Sequence, residues 1–439
     1  MRNIYFLLLP IFLVSNLYGQ ELKNGKLDSL FSLLEEHNKF MGGVSIFKNG
    51  EEIYQRSLGY VDVEKNIKVD AASQYRIGSI SKTFTAVMVL QLIEEGKLDL
   101  TTSLKKYFPD VPNAKAITVE QLLRHRSGIF NFTNAQDFET WMTKPISKKE
   151  LVQKIASHKP AFAPDEKAEY SNSNYVLLSL MIEKITGKDY ATELEKRILK
   201  PCKLNRTAVG SAIEPDKNQA LSYVKQGSWM LAVETDMSIP LGAGFIISSP
   251  TDLNVFLNCL FKNKLLKKET MQEMTSLKDG FGLGLFSAPF YDKTGLGHGG
   301  DIDGFHSQAF HFEKEQLSIS LITNGIDYSL NDIMIGILSI YFGLDYPLPV
   351  FQSDLKLEEN MLKVYEGNYT SPNFPLDLKI FVQNGVLNGQ ATGQSNFPLQ
   401  AYGNDTFRFD MAGIEIVFHP KEDFLILKQA GQQFKLSRK

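Results

Sequence analysis

Strand signals sit at the two ends of one long stretch of this chain, and the segment between them reads as mostly helical. "GGVSIFKNGEEIYQRSLGY" (42 to 60) alternates into two strands around Asn49-Gly50, a dipeptide suited to a two-residue hairpin turn. Far downstream, "KTGLGHGG", "FHSQAFHF" and "QLSISLITN" (293 to 324) read as three more strands. From Ser79 to about residue 275 helical spacing dominates, broken by turn clusters such as "FPDVPNA" and "SSPTD". Strands divided in this way predict an α+β fold: an antiparallel five-stranded sheet flanked by helices, with a helical region inserted into it. A cleft between the two parts follows.

Helical patterns flank this block, over "KLDSLFSLLEEHNKF" (26 to 40) and "NDIMIGILSIYFG" (331 to 343). After the proline-rich stretch 344 to 356, short strands and turns run from about 357 to 439. This tail is predicted to be a separate all-β domain, a small up-and-down barrel or sandwich.

Arg2, the apolar run Ile4 to Val14 and the polar stretch Ser15 to Gln20 have the layout of a secretory signal peptide, placing the leader at 1–20. The run is too short to span a bilayer, so an exported protein, periplasmic or secreted, without a stable membrane span is expected. Lys+Arg 47 against Asp+Glu 50, with no long basic run, argues against a nucleic-acid partner and for a small-molecule or peptide substrate. Cys202 and Cys259 are the only cysteines and read as two buried free thiols rather than one bridge. The seven histidines show no ligand spacing, so no metal is expected, and no cofactor is called for.

Within "YRIGSISKTFTAV" (75 to 87), Ser79 precedes Lys82 by three residues at a helix start. Ser-x-x-Lys also occurs at Ser45, Ser103, Ser222 and Ser353, so the spacing alone is weak. In the strand "GVSIFKNG" residues three apart face opposite ways, which disqualifies Ser45. Ser103 and Ser353 fall in polar connections, and no apolar helical run follows Ser222. After Ser79, by contrast, Phe84, Val87, Met88 and Leu92 continue at helical spacing, which puts Ser79 and Lys82 on one face. Free N–H groups at a helix start favour negative charge beside the serine. Two readings stand on these residues: a nucleophile with an adjacent base, or an N-cap with a solvated lysine.

"EYSNSNYVLLSLMIEKITG" (169 to 187) sets Tyr170 and Asn172 just ahead of an apolar helix, and "GLGHGGDIDGFHSQ" (295 to 308) is a glycine-rich strand with His298. With "IGSISK", these ordered stretches resemble the serine β-lactamase and penicillin-binding superfamily, close to class C β-lactamases, DD-peptidases and D-aminopeptidases, over roughly residues 26 to 343.

The resemblance implies a serine hydrolase domain over 21–345, in which Ser79 is acylated and Lys82 and Tyr170 share the proton transfers, either of them being the base. It implies that Asn172 donates to the substrate amide, that His298, Gly299 and Gly300 form the substrate-facing strand, and that the Asp301 N–H joins that of Ser79 at the oxyanion. Lys293-Thr294-Gly295 is the literal tripeptide of many β-lactamases, but only His298-Gly299-Gly300 is followed by the Gly-Phe pair (304 and 305) that the family carries. Histidine there is usual among the peptidases and esterases and counts against a dedicated β-lactamase. A carboxylate at 301 departs from the pattern, and its side chain is expected to point away. His125 reads as structural, Trp141 and Trp229 as packing or cleft residues, and Tyr402 with Asn404 as a chance repeat of the tyrosine motif. An exported hydrolase of an amide or ester bond is therefore expected, the alternatives being a β-lactamase or a non-catalytic binding or scaffold protein.

Overall fold

The computed structural model describes residues 11–351, 355, 357–403, 405–429 and 432–439, with side chains from 24 onward. The expected leader thus falls, for its first ten positions, outside the described residues. No helix among the described residues is long and apolar enough to cross a membrane. The chain divides into two compact units: residues 40–326, and residues 1–39 together with 327–439.

The first unit is built on the predicted sheet. Strands β1 (Phe40–Lys48) and β2 (Glu51–Leu58) form the hairpin, with Asn49 and Gly50 both at positive φ. Strands β3 (Phe286–Phe290), β4 (Lys293–Ile302), β5 (Phe305–Phe312) and β6 (Leu317–Ile326) complete the antiparallel order β3-β4-β5-β6-β1-β2. β1 and β6 pair from Phe40↔Ile326 to Lys48↔Leu317, so the two ends of this unit lie side by side. The sheet is wider than the expected five strands. β3 adds an edge, where Pro289 costs no interior ladder bond, and the hairpin Tyr223–Gln226/Ser228–Leu231 joins β6 at Gly325↔Tyr223, giving eight strands. That hairpin is too short to stand out among helical patterns.

Helix α1 (Ser81–Glu94) is buried from Ser81 to Leu90: Phe84 and the run Ala86 to Leu90 are apolar, and the buried Thr83 and Thr85 hydroxyls donate to the Gly284 and Gly242 carbonyls. The Phe84 ring stacks on Phe256 at 3.8 Å, both fully buried. Phe84→Ala is expected to lower the free energy of unfolding by about 3–5 kcal/mol, read from denaturant midpoints; a loss below about 1 kcal/mol would mean that the helix does not occupy the core. Helix α2 (Asn172–Thr186) packs beside α1 and ends at Gly187 in the left-handed conformation. Helix α3 (Pro250–Phe261) lies on the sheet, where Asn254 donates to Ser45 O and accepts from Ser320 Oγ, both at 2.8 Å. That network accounts for Ser45 as a structural serine.

The expectation of free thiols fails. Cys202 and Cys259 are joined in a disulfide with Cα atoms 5.9 Å apart. The end of the short helix Lys200–Cys202 meets α3, a juxtaposition created by tertiary packing that a separation of 57 residues does not announce.

In the second unit, the helix Ile11–Glu36 stops four residues short of the predicted end, and an apolar helix covers Leu330–Phe342. The tail is a closed antiparallel barrel of eight strands from Gly367–Ser371 to Gln432–Arg438, settling the choice between barrel and sandwich. Its interior is filled by alternating apolar residues, among them Tyr369, Leu378, Ile380, Phe407, Phe418 and Leu425. Within this unit Lys39 Nζ lies 3.0 Å from Asp327 and 3.1 Å from Asp410. Tyr402 belongs to a barrel strand, and Asn404 lies outside the described residues, as does Ser353.

Candidate active site

Ser79 lies in a single 3-10 turn, Gly78–Ile80, that leads straight into α1. Its hydroxyl caps neither element. Instead Ser79 Oγ is 2.9 Å from Lys82 Nζ, one helical turn on, and 2.6 Å from the Tyr170 hydroxyl. Lys82 is fully buried rather than solvated, and its amine also reaches Asn172 Oδ1 at 2.8 Å and the Ala243 carbonyl at 2.7 Å.

Tyr170 comes from the extended segment before α2, and Asn172 is the first residue of that helix. His125, at positive φ, supports this segment: its Nδ1 accepts from the Ser171 N–H at 3.1 Å, and its ring lies against Tyr170 with centroids 4.5 Å apart. Asn131 Oδ1 accepts from the Asn172 N–H, and the Asn172 amide donates to Thr133 Oγ1 at 3.1 Å. His125 is therefore structural, and its support falls on Tyr170 itself.

Strand β4 brings the third stretch against the Ser79 turn. A Cβ on Gly300 would stand 2.1 Å from Ile77 O and 2.8 Å from Ser79 N, so only glycine permits the approach. A Cβ on Gly78, at φ +49°, would lie 2.8 Å from Asp301 N. The Ser79 and Asp301 N–H groups thus border one seam. Ser307 Oγ fastens it, donating within reach of both Ile77 O (3.0 Å) and Gly300 O (3.1 Å). Gly299 precedes the seam, half-buried. His298 is buried with its ring 4.2 Å from Phe286 and 6.3 Å from Tyr170. Asp301 turns outward and its carboxylate meets His306 Nδ1 at 2.6 Å. Lys293 starts β4 far along the strand, paired with Asp292.

A cavity of about 250 Å³ opens over Ser79, Asn172 and Asp301, walled by Phe132, Thr235 and Ile239. Trp141 packs against Phe132 and Phe138, and Trp229 belongs to the 228–231 strand, facing Gly325. A larger groove of about 620 Å³ near Phe108, Lys149 and Leu180 holds none of the candidate catalytic or substrate-binding residues.

Burial sets the charge states. It holds the Lys82 amine well below the usual lysine range, because no carboxylate compensates the lost hydration. It raises the Tyr170 phenol, against the opposing bond to Ser79, and Asp301 adds to the rise. It lowers the His298 imidazole to about 3, with Lys82 acting in the same direction, and lowers His125 well below its ordinary value. Both histidines are therefore neutral in the folded protein, whereas an unfolded chain protonates them below about pH 6.5. Their contribution to stability is complete above that pH and declines as the pH falls below it, toward about 3 for His298, by up to about 1.4 kcal/mol per pH unit for each ring. Urea midpoints measured at pH 7.5 and 5 should fall with pH, and His298→Gln should flatten the trend; an unchanged midpoint would show that the rings are not buried neutral.

The chain matches the Beta-lactamase family over residues 27–329. It is 26% identical over 294 residues to protein flp of Staphylococcus aureus, covering 64% of this chain and 59% of that one, so it spans about three fifths of that relative's length. A penicillin-binding protein of Bacillus subtilis is 24% identical over 431 residues, 91% of this chain and 95% of its own. Among solved structures, the D-amino acid amidase from Ochrobactrum anthropi SV3 complexed with D-phenylalanine superposes with a TM-score of 0.65 at 26% identity, over 74% of this chain and 99% of the amidase. With the family match running through all three converging segments, the chain belongs to the beta-lactamase family.

Proposed function

We propose that this protein is an exported serine hydrolase that cleaves an amide or ester bond through an acyl-enzyme on Ser79. The observation that carries the reading is the contact of Ser79 Oγ with both Lys82 Nζ and the Tyr170 hydroxyl under an open cavity. Likeness to a D-amino acid amidase and to a penicillin-binding protein supports amide carbonyls as the substrate class.

Lys82 is the favoured base, since burial destabilises its ammonium while the same burial disfavours a Tyr170 phenolate. The Ser79 proton passes to Lys82 as Oγ bonds to the carbonyl carbon, and the carbonyl oxygen takes up negative charge at the Ser79 and Asp301 N–H groups. As the tetrahedral species collapses, the bond to the leaving nitrogen or oxygen breaks and that atom receives a proton through Tyr170. Water then attacks the acyl carbon, giving its proton to the same base and restoring the serine hydroxyl. Asn172 and the glycine-bearing strand from His298 to Gly300 orient the substrate.

Intact mass of wild type and Ser79→Ala protein, after exposure to a penicillin and separately to an activated small ester, tests the reading. A covalent adduct on wild type alone is expected, and the reagent that forms it separates β-lactam-like from esterase-like reactivity. Equal mass of the two proteins with both reagents, and no turnover by either, would leave a non-catalytic binding protein.

A further inference from the structure

The charges around the cavity are one-sided. Its formally charged lining residues are Asp301 and Asp303, and no lysine or arginine is among the described residues that line it. Asp303 is spent within the protein: it meets Arg76 Nη1 at 2.7 Å and accepts from the Thr235 N–H and hydroxyl, with both members of the ion pair buried. Arg76 in turn is held by Glu234 and by the Thr235 and Ser211 carbonyls, so it cannot turn toward a ligand. Lys82 lies under the serine, and Lys293 is tied to Asp292 at the far start of β4.

Asp301 is different. It immediately follows Gly300 at the seam with Ser79, yet its side chain is 79% exposed, with the His306 ring as its partner. Among the described lining residues, the opening therefore carries one exposed carboxylate, bonded to a histidine ring, and no lysine or arginine to meet a ligand carboxylate.

We infer that Asp301 is a charge-selecting residue, favouring substrates with an ammonium group close to the scissile carbonyl and disfavouring those with a carboxylate there. This deepens the hydrolase reading and rests on it. Its charge is felt inside the site, where it helps raise Tyr170 and opposes the lowering of His298. Penicillins and peptides ending in a free carboxylate next to the cleaved bond fall in the disfavoured class, whereas free-amine amides and esters fall in the favoured one.

The test compares kcat/KM of the full chain for glycine p-nitroanilide, N-acetylglycine p-nitroanilide and N-succinylglycine p-nitroanilide, which present an ammonium, no charge and a carboxylate. Hydrolysis of neutral p-nitrophenyl acetate is followed in parallel. Wild type should rank ammonium above neutral above carboxylate. Asp301→Asn should shrink the ammonium-to-neutral ratio by about fivefold, the worth of one charge pair at about 4 Å in water, and raise the carboxylate-to-neutral ratio. Using ratios removes any shared effect on the neighbouring N–H. His306→Gln keeps the carboxylate and should keep the ranking, which separates charge from disturbance of the strand edge.

Ratios in Asp301→Asn equal to wild type, or a ranking lost in His306→Gln but kept in Asp301→Asn, would overturn the inference. Hydrolysis of p-nitrophenyl acetate by wild type together with equal kcat/KM for the three anilides would sink the charge selection alone. Failure of wild type on all four substrates would remove the hydrolase reading and this inference with it.

Discussion

Ser79→Ala is expected to lower kcat by about 10⁴- to 10⁶-fold, the scale seen when a nucleophile acting as part of a unit is removed. The folded structure should survive the change, because Ser79 caps no helix. The hydroxyl contributes its two contacts with Lys82 and Tyr170 and otherwise faces the cavity. Thermal unfolding measured beside the kinetics should therefore show a small shift against a very large loss of rate. Comparable hydrolysis by the variant would mean that the carbonyl is attacked by something other than Oγ.

The second large effect concerns Lys82. Lys82→Met keeps most of the buried volume and removes the amine, and general-base loss predicts a fall in kcat of about 10²- to 10⁴-fold. Stability should change less than an ordinary buried polar deletion suggests. The Asn172 and Ala243 oxygens lose a donor at a cost of about 1–3 kcal/mol each, but burying a poorly compensated amine is itself unfavourable. The pH profile is the sharper readout. A base must shed its proton to act, so kcat/KM of wild type should rise with pH through the lowered Lys82 value and reach its plateau well below the usual lysine range near 10.5. Tyr170→Phe should slow the reaction and leave that acid limb in place, whereas Lys82→Met should abolish it. The reverse pattern, with the limb lost in Tyr170→Phe and kept in Lys82→Met, would assign the base to the phenol. His298, lowered to about 3, titrates too far down to imitate the limb.

What could be read from the chain was local. Ser79 and Lys82 share a helix face because three residues nearly complete one turn, and Tyr170 with Asn172 brackets a helix start. The Asn49-Gly50 hairpin and the three strands ending in "LITN" likewise carry their geometry in adjacent residues. The supports of the site come from afar and left no signal: Asn131 and Thr133 holding Asn172, the Ala243 carbonyl on Lys82, Ser307 fastening the seam. The same holds for the disulfide, whose partners meet only after α3 has packed. In the tail the strands were legible but closure was not, since joining the first strand to the last is a property of the whole set.

The pairing of β1 with β6 has a consequence for how the chain is made. At roughly 5–20 residues per second, synthesis reaches β6 about 13 to 54 seconds after β1 has been made. For that interval the opening hairpin has its apolar residues Val44, Ile46 and Phe47 and one unpaired strand edge, with no partner yet in existence. A nascent chain of this kind exposes apolar surface and an unpaired strand for that interval, so truncations that end before Leu317 should accumulate as aggregates rather than as smaller folded proteins.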